Sequence, residues 1–147
     1  MNPTQPAVLI AALSGRALAA CAMRDGYRPL VADLFGDLDT QELAEASERV
    51  PGTLTRGFSQ RALLASLDRL AKGRQVIGVV VGSGFEDRPR LLHALATRHA
   101  LLGNPPEVVT ALKNPFQFAE TCARAGVPHP DVRREPPPGG TWLRKRA

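Results

Sequence analysis

The stretch Val76-Ile77-Gly78-Val79-Val80-Val81-Gly82-Ser83-Gly84-Phe85-Glu86 decides the fold that we predict for this chain. Its first six residues are apolar or glycine and mostly β-branched, which is typical of a central strand of a parallel sheet covered on both faces. Gly82 and Gly84 follow directly, and glycine allows a sharp turn and a close approach of the backbone to a ligand. Ligands of open α/β sheets bind beyond the carboxyl ends of the strands. Residues 82–86 are therefore the first candidate binding segment.

Strand and helix patterns alternate along the rest of the chain. Apolar runs predict strands at residues 7–13, 28–34, 76–81 and 107–112. The amphipathic segments begin at capping residues, namely Ser14, Asp39, Ser59 and Asn114, and the segment from Asp39 is expected to remain helical to about Arg49. Right-handed crossovers between parallel strands place helices on both faces. The pattern predicts an α/β fold: a Rossmann-like, doubly wound, mainly parallel sheet with helices on both faces.

Length and composition indicate one domain with an apolar core. The chain has 147 residues, of which 44% are hydrophobic. No apolar run is long enough for a membrane span, and the first residues lack the basic start of a signal peptide, so we expect a cytoplasmic protein and no membrane partner. Cys21, Phe118 and Cys122 fall on the apolar faces of helical patterns, so we expect them to be buried, with both cysteines reduced.

Charge and histidine spacing argue against two classes of site. Residues 131–147 contain five basic and two acidic side chains, so they account for +3 of the net charge of +5 and leave +2 for residues 1–130. Because both signs are mixed along the predicted helices, the sequence favours no nucleic-acid partner. The three histidines lack metal-ligand spacing, and the sequence predicts no metal site in this chain.

Two further candidate segments follow the first two predicted strands. Ser14, Gly15 and Arg16 place a hydroxyl, backbone donors and a guanidinium at a helix N-terminus, where an anion can bind. The alternative is an ordinary helix cap with a solvated arginine. Asp33 could bind a substrate hydroxyl or amine, or it could cap the next turn. Asp87 occupies the third glycine position of a dinucleotide fingerprint, so that motif is absent, as is a P-loop.

Several segments, in this order, resemble the N-terminal part of ATP-grasp enzymes, in particular the predicted ATP-dependent carboligases related to biotin carboxylase. They are residues 26–40, 82–86, 102–104, 113–116, 125–128 and 142–145. The resemblance implies a Rossmann-like pre-ATP-grasp domain over residues 1–130. It also implies that residues 131–147 are a Pro/Gly linker and the truncated start of the ATP-grasp lid. Complete members use ATP and magnesium to activate a carboxylate as an acyl phosphate, which then passes to an amine, thiol or other nucleophile.

What the resemblance implies for this chain is a substrate-binding domain that is inactive alone. A small carboxylate- or amine-bearing substrate would contact Ser14, Gly15, Arg16, Asp33, Gly82, Ser83, Gly84, Phe85 and Glu86. Lys145 matches the family lysine that contacts ATP phosphates, and Lys113 lies two residues from a second such position. The catalytic domain that would complete the site is expected to be missing here, and we expect no cofactor for this chain alone. A stand-alone small-molecule-binding or regulatory α/β module is the alternative, and a homodimer is compatible with the sequence.

Overall fold

The computed structural model describes residues 5–135 and 138–143. Along the chain the elements are β1 (Ala7–Ala12), α1 (Arg16–Arg24), β2 (Arg28–Asp33), α2 (Leu38–Leu43), β3 (Ala46–Arg49), β4 (Gly52–Thr53), β5 (Gly57–Phe58), α3 (Gln60–Ala71), β6 (Val76–Val81), α4 (Pro89–Arg98), α5 (Pro106–Lys113) and α6 (Pro115–Arg124). None of the helices in these ranges is long and apolar enough to cross a membrane.

A four-stranded parallel sheet with the order β3-β2-β1-β6 forms the centre of the molecule. The predicted strand at residues 76–81 is present and pairs with β1 in parallel. Its predicted place as a central strand covered on both faces is wrong, because β6 lies at the end of the strand order and Ile77 is exposed. A single parallel bridge between Val79 and Leu101 extends this edge of the sheet by one residue. The strands β4 and β5 form a separate antiparallel hairpin.

The sheet is covered by helices on both faces, so the predicted doubly wound α/β fold is confirmed. Leu9 of β1 packs in one cluster with the apolar stripes of α3 and α4. Val8 and Ile10, which alternate with Leu9, pack instead with α1 and the end of α2. This alternation follows from the two-residue period of a strand. A fully buried leucine such as Leu67 or Leu95 contributes about 1.5–3 kcal/mol relative to an exposed one.

The predicted strand at residues 107–112 is wrong, because these residues belong to helix α5. Two β-branched valines favoured a strand, but Pro106 at the first helical position is pre-organised for a helix. Pro106 is buried and Val109, one turn later, packs against the core, so the segment buries one helical face. The Thr110 hydroxyl also donates to the Pro106 carbonyl, 2.8 Å away, within the same turn. Burial of one helical stripe therefore overrides strand propensity here.

The predicted helix from Asp39 to about Arg49 is also wrong. The helix α2 ends at Leu43, and residues 46–49 form the fourth strand of the sheet by pairing with β2. The N-cap of α2 is Asp37, whose Oδ1 accepts from the Thr40 N–H at 2.8 Å. That backbone hydrogen bond holds the pKa of Asp37 below its usual value. Residues 46–49 form a strand because they hydrogen-bond to the side of β2 that does not face β1. This pairing leaves no local pattern in the sequence.

Two side chains on helical faces, Cys21 and Phe118, also differ from expectation. Cys21 is exposed, whereas Cys122 is buried as predicted. Phe118 is 45% exposed, because α6 packs mainly on α5 and buries only Cys122 fully among its residues. A helix at the periphery of a domain has fewer neighbours than its apolar stripe can contact. The caps of α3 and α6, Ser59 and Asn114, are as predicted.

An ion pair ties β3 to α3 and gives the fold a dependence on pH. Glu48 accepts from the Ser66 hydroxyl at 2.8 Å and from the Arg69 guanidinium. The Arg69 hydrogen bond is the main reason why the pKa of Glu48 lies below its usual 4.5, although partial burial opposes it. A lowered pKa in the folded state stabilises the fold above the unfolded pKa, and this contribution is lost as pH falls through the folded pKa.

We therefore expect the Glu48→Gln variant to lose less stability than the wild-type chain as the pH falls. The wild-type chain should lose more free energy of unfolding between neutral pH and a pH below about 4 than the variant loses. Urea unfolding followed by circular dichroism at several pH values measures this slope. The exposed Glu120→Gln serves as a control and should keep the wild-type slope. An unchanged slope in Glu48→Gln would show that the carboxylate has no such linkage.

Candidate functional site

The loops that follow β1, β2 and β6 lie side by side at the carboxyl edge of the sheet. The Leu13 N–H donates to the Ser83 carbonyl at 3.1 Å, and the Leu34 N–H donates to the Leu13 carbonyl at 3.2 Å. The three candidate segments of the sequence are therefore neighbours in space. This edge is where ligands of open α/β sheets bind.

Asp33 connects two of these loops and is almost completely buried, with 1% exposure. Its Oδ2 accepts from the Gly15 N–H at 3.0 Å, and its Oδ1 accepts from the Gly36 N–H at 2.8 Å. A carboxylate that accepts backbone hydrogen bonds on both oxygens stabilises the loops around it. Of the two alternatives drawn from the sequence, the structure shows the turn-capping one.

Gly15 begins α1 without a side-chain cap, so the predicted Ser14 cap is wrong. The Ser14 side chain is exposed, while Gly15 is buried against β2. A Cβ at Gly15 would overlap Cγ1 of Val31, so only glycine fits between α1 and the sheet. Arg16 is exposed and pairs with Asp39, with 2.6 Å between Nη1 and Oδ2. The guanidinium expected to bind an anion therefore already has a carboxylate partner.

In the glycine loop after β6, a backbone N–H is hydrogen-bonded to a side chain of the same loop. Gly84 has φ +105°, and a Cβ there would contact the Leu13 side chain, so glycine suits this close approach. The Gly84 N–H donates to Oε2 of the exposed Glu86 at 2.9 Å. Gly82 lies against Ala12 and Leu18, and Ser83 is exposed. Ser83 and Glu86 are thus the side chains of this loop that face solvent.

Phe85 lies inside the core and not at the solvent-facing edge. It is 2% exposed, and its ring centroid is 5.6 Å from that of Phe58. Its side chain therefore has no exposed surface to offer a substrate. The aromatic pair fastens the glycine loop to the β4–β5 hairpin.

Of the two predicted ATP-binding lysines, Lys113 lies within the described residues. Lys113 ends α5 beside the glycine loop, where its Nζ is 3.0 Å from Oδ1 of Asp87. Lys145 lies outside the described residues. The pairing of Lys113 with the loop places one predicted residue next to the candidate edge, and its contact with ATP stays a prediction.

The hairpin β4–β5 is a part of this edge that the sequence reasoning missed. It fills the connection between β3 and α3, and the Arg88 guanidinium donates to the Phe58 carbonyl at 2.6 Å. Thr53 and Thr55 between Gly52 and Gly57 were the available signal, because β-branched residues flanked by glycines are typical of short hairpins. A recess of about 370 Å³ lies at its base, lined by Arg49, Val50, Pro51 and Gly52.

Several exposed polar side chains lie at this edge. Within residues 5–135 and 138–143 no group of three His, Cys, Asp or Glu side chains is placed to hold a metal ion. The exposed functional groups are the Ser14 and Ser83 hydroxyls, the Glu86 carboxylate and the Arg16–Asp39 pair. Such groups can position a small polar ligand through hydrogen bonds.

Comparison with solved structures identifies proteins of similar fold. N5-carboxyaminoimidazole synthetase from Staphylococcus aureus is 18% identical over 86% of this chain and 32% of that enzyme, with a TM-score of 0.59. An ADP complex of N5-carboxyaminoimidazole ribonucleotide synthetase is 22% identical over 87% of this chain and 31% of that enzyme, with a TM-score of 0.56. The biotin carboxylase domain of a single-chain bacterial carboxylase is 21% identical over 84% of this chain and 30% of that chain, with a TM-score of 0.58. No protein-family model and no curated protein matches the sequence.

These similarities concern the fold, since all the identities are below 25%. The chain spans about a third of the length of each of these proteins. The Rossmann-like fold that the sequence resemblance implied is confirmed: the chain has a fold similar to about a third of N5-carboxyaminoimidazole synthetase and of a biotin carboxylase domain.

Proposed function

We propose that this chain is the substrate-binding N-terminal domain of an ATP-grasp carboxylate ligase. The observation that carries the proposal is the meeting of the loops after β1, β2 and β6 at one edge of a sheet with this fold. A small carboxylate- or amine-bearing substrate would contact Ser14, Arg16, Ser83 and Glu86 at this edge. Asp33 and Phe85 would act indirectly, by holding the loops in place.

ATP and magnesium enter this proposal through the remainder of a complete ligase. One of the similar structures is an ADP complex, and it is about three times as long as this chain. Phosphoryl transfer needs a metal and a phosphate clamp in addition to a substrate site. In the proposed role this domain supplies the floor of the substrate cleft, and the catalytic domain supplies the nucleotide.

The purified chain with ATP and magnesium should therefore release no phosphate above the buffer rate. The reason is that the described edge contains no metal-ligand cluster to stabilise the transferred phosphoryl group. A phosphate-release assay after repeated purification measures this. Turnover that persists through re-purification and disappears on heat denaturation would contradict the proposed role.

Exposed residues at the edge should affect turnover and spare the fold. In a complete ligase that carries this domain, Glu86→Gln and Arg16→Ala should each lower kcat/KM by about 10–100-fold, because a mispositioned substrate reacts slowly. Both side chains are exposed, so the melting temperature should change little. Glu120→Gln, on the exposed surface of α6, is the matched control.

The outcome of that comparison separates the two functional classes. Full turnover in both edge variants would show that the substrate does not bind at this edge. Loss of turnover together with loss of the folded state would assign both residues a structural role. A stand-alone binding module, the alternative function, predicts that no ligase activity depends on either residue.

A further inference from the structure

Three arginines at the β4–β5 hairpin, and one in the first turn of each of the helices α3 and α4, have no carboxylate partner among the described residues. Within residues 5–135 and 138–143 the ion pairs involve Arg16, Arg28, Arg69, Arg74, Arg98 and Arg133. Arg49, Arg56 and Arg88 at the hairpin belong to none of these pairs, and neither do Arg61 of α3 and Arg90 of α4. From Arg49 to Leu67 the sequence contains no acidic residue at all. The positive charge of these arginines is therefore not paired with any carboxylate of the described residues.

Two of these arginines are held in place by neutral acceptors. Nε of Arg49 donates to the Leu34 carbonyl at 3.1 Å, and Nη1 of Arg88 donates to the Phe58 carbonyl at 2.6 Å. A carbonyl fixes the guanidinium without neutralising it, so the remaining N–H groups keep their full donor strength. Arg49 lies on the β4 side of the hairpin and Arg88 contacts its β5 side. The hairpin thus has an oriented cation along each strand.

The tip and the surroundings of the hairpin add to this charge. Arg56 is exposed at the tip, where the Thr53 hydroxyl accepts from its backbone N–H at 3.0 Å. Arg61 and Arg90 are the second residues of α3 and α4, whose N-terminal ends carry a partial positive charge. The recess of about 370 Å³ at the hairpin base provides space for a small ligand beside Arg49.

On the opposite side of the same edge, two glycine N–H groups and two cations already have carboxylate partners. The Gly15 N–H is taken by Asp33, and the Gly84 N–H is taken by Glu86. Arg16 is paired with Asp39, and Lys113 is paired with Asp87. An anion that binds those groups must displace a carboxylate of the chain, whereas Arg49, Arg56 and Arg88 form no ion pair with the described residues. Electrostatics therefore favours the hairpin side for an anionic ligand.

We propose that the β4–β5 hairpin binds the phosphate group of a small phosphorylated molecule through Arg49 beside the recess, Arg56 at the tip and Arg88 on the β5 side. Guanidinium groups match the oxygens of a phosphate in paired hydrogen bonds, which fits arginine better than lysine for this role. The site does not depend on the proposed ligase role, since a phosphate-bearing ligand could be a substrate or an effector. The two proposals can therefore fail separately.

The test uses the full 147-residue chain and inorganic pyrophosphate as the probe. Titration calorimetry at an ionic strength of about 0.15 M, where exposed charges are screened beyond about 8 Å, should detect binding. The double variant Arg49→Gln and Arg56→Gln should weaken the Kd by about 10-fold or more, because it removes two charged donors. Arg124→Gln, which removes an exposed arginine at the end of α6, is the control and should leave the Kd unchanged within about 2-fold.

Three outcomes would overturn the proposal. The first is binding that the double variant does not weaken, or that Arg124→Gln weakens equally. The second is binding that rises in Glu86→Gln and is unaffected in the double variant, which would place the anion at the glycine loop. The third is a short single-stranded oligonucleotide or an acidic peptide that binds at the same arginines far more tightly than pyrophosphate, which would assign the surface to a macromolecule. Both substituted arginines are exposed, so circular dichroism should show an unchanged fold in the double variant.

Discussion

Replacing Asp33 by alanine is expected to lower the free energy of unfolding by about 2–4 kcal/mol, since each buried donor left without an acceptor costs about 1–3 kcal/mol. The carboxylate accepts from the N–H groups of Gly15 and Gly36, and no other acceptor for these groups is seen among the described residues. The loops after β1 and β2 would then separate. Urea unfolding followed by circular dichroism measures the change.

Asp39→Ala is the matched control for this experiment. It also removes one carboxylate from the same edge, but Asp39 is exposed and forms only a surface pair with Arg16. Such pairs contribute about 0–1 kcal/mol. If Asp33→Ala is no less stable than Asp39→Ala, the hydrogen bonds to Asp33 do not hold the loops. The carboxylate would then be available to a ligand, as the second alternative from the sequence requires.

Replacing Phe85 by alanine is expected to cost about 3–5 kcal/mol, because the change leaves a cavity in a close-packed core. The ring packs against Phe58 below the glycine loop, so its loss also loosens the attachment of the hairpin. Phe85→Leu, which keeps most of the apolar volume, should cost less than about 1.5 kcal/mol. Thermal and urea unfolding of the purified variants distinguish these values.

Phe118→Ala provides the control for Phe85→Ala. The two substitutions remove the same atoms, but Phe118 is 45% exposed on α6 and Phe85 is 2% exposed. A surface substitution of this kind usually changes stability by about 0.5 kcal/mol or less. Equal losses in the two variants would mean that Phe85 is not part of the core. Its earlier assignment to the substrate-binding residues would then deserve testing by ligand titration.

Much of the fold could be predicted because the deciding signals are local. The apolar runs that became β1 and β2 are buried on both faces, so burial leaves a continuous hydrophobic record in the sequence. The run that became β6 is equally apolar, although this strand is only partly buried. Ser59 and Asn114 begin helices in any context that leaves their first N–H groups free. The position of the candidate loops followed from the same record, because each loop comes directly after a buried strand.

The errors arose where a long-range partner outweighs the local preference. Residues 46–49 form a strand because β2 needs a hydrogen-bonded neighbour, and residues 107–112 form a helix because Pro106 and Val109 fit against the core. Ser14 does not cap α1, since the Gly15 N–H binds Asp33 from a different strand. None of these partners is near in sequence, so pattern reasoning has no access to them.

The sequence by itself determined the class of fold, the order of three parallel strands and helices, and the segments that meet at the carboxyl edge. It did so because hydrophobic periodicity and capping residues act over a few neighbouring positions. Only the tertiary structure decided which donors and charges at that edge are already taken. Asp33, Glu86 and Asp39 are bound to groups of the chain itself, while Arg49, Arg56 and Arg88 at the hairpin form no ion pair within the part of the chain that the structure describes. The physical reason is that hydrogen bonds and ion pairs join residues that are distant in sequence, so their pairing exists only once the strands have assembled.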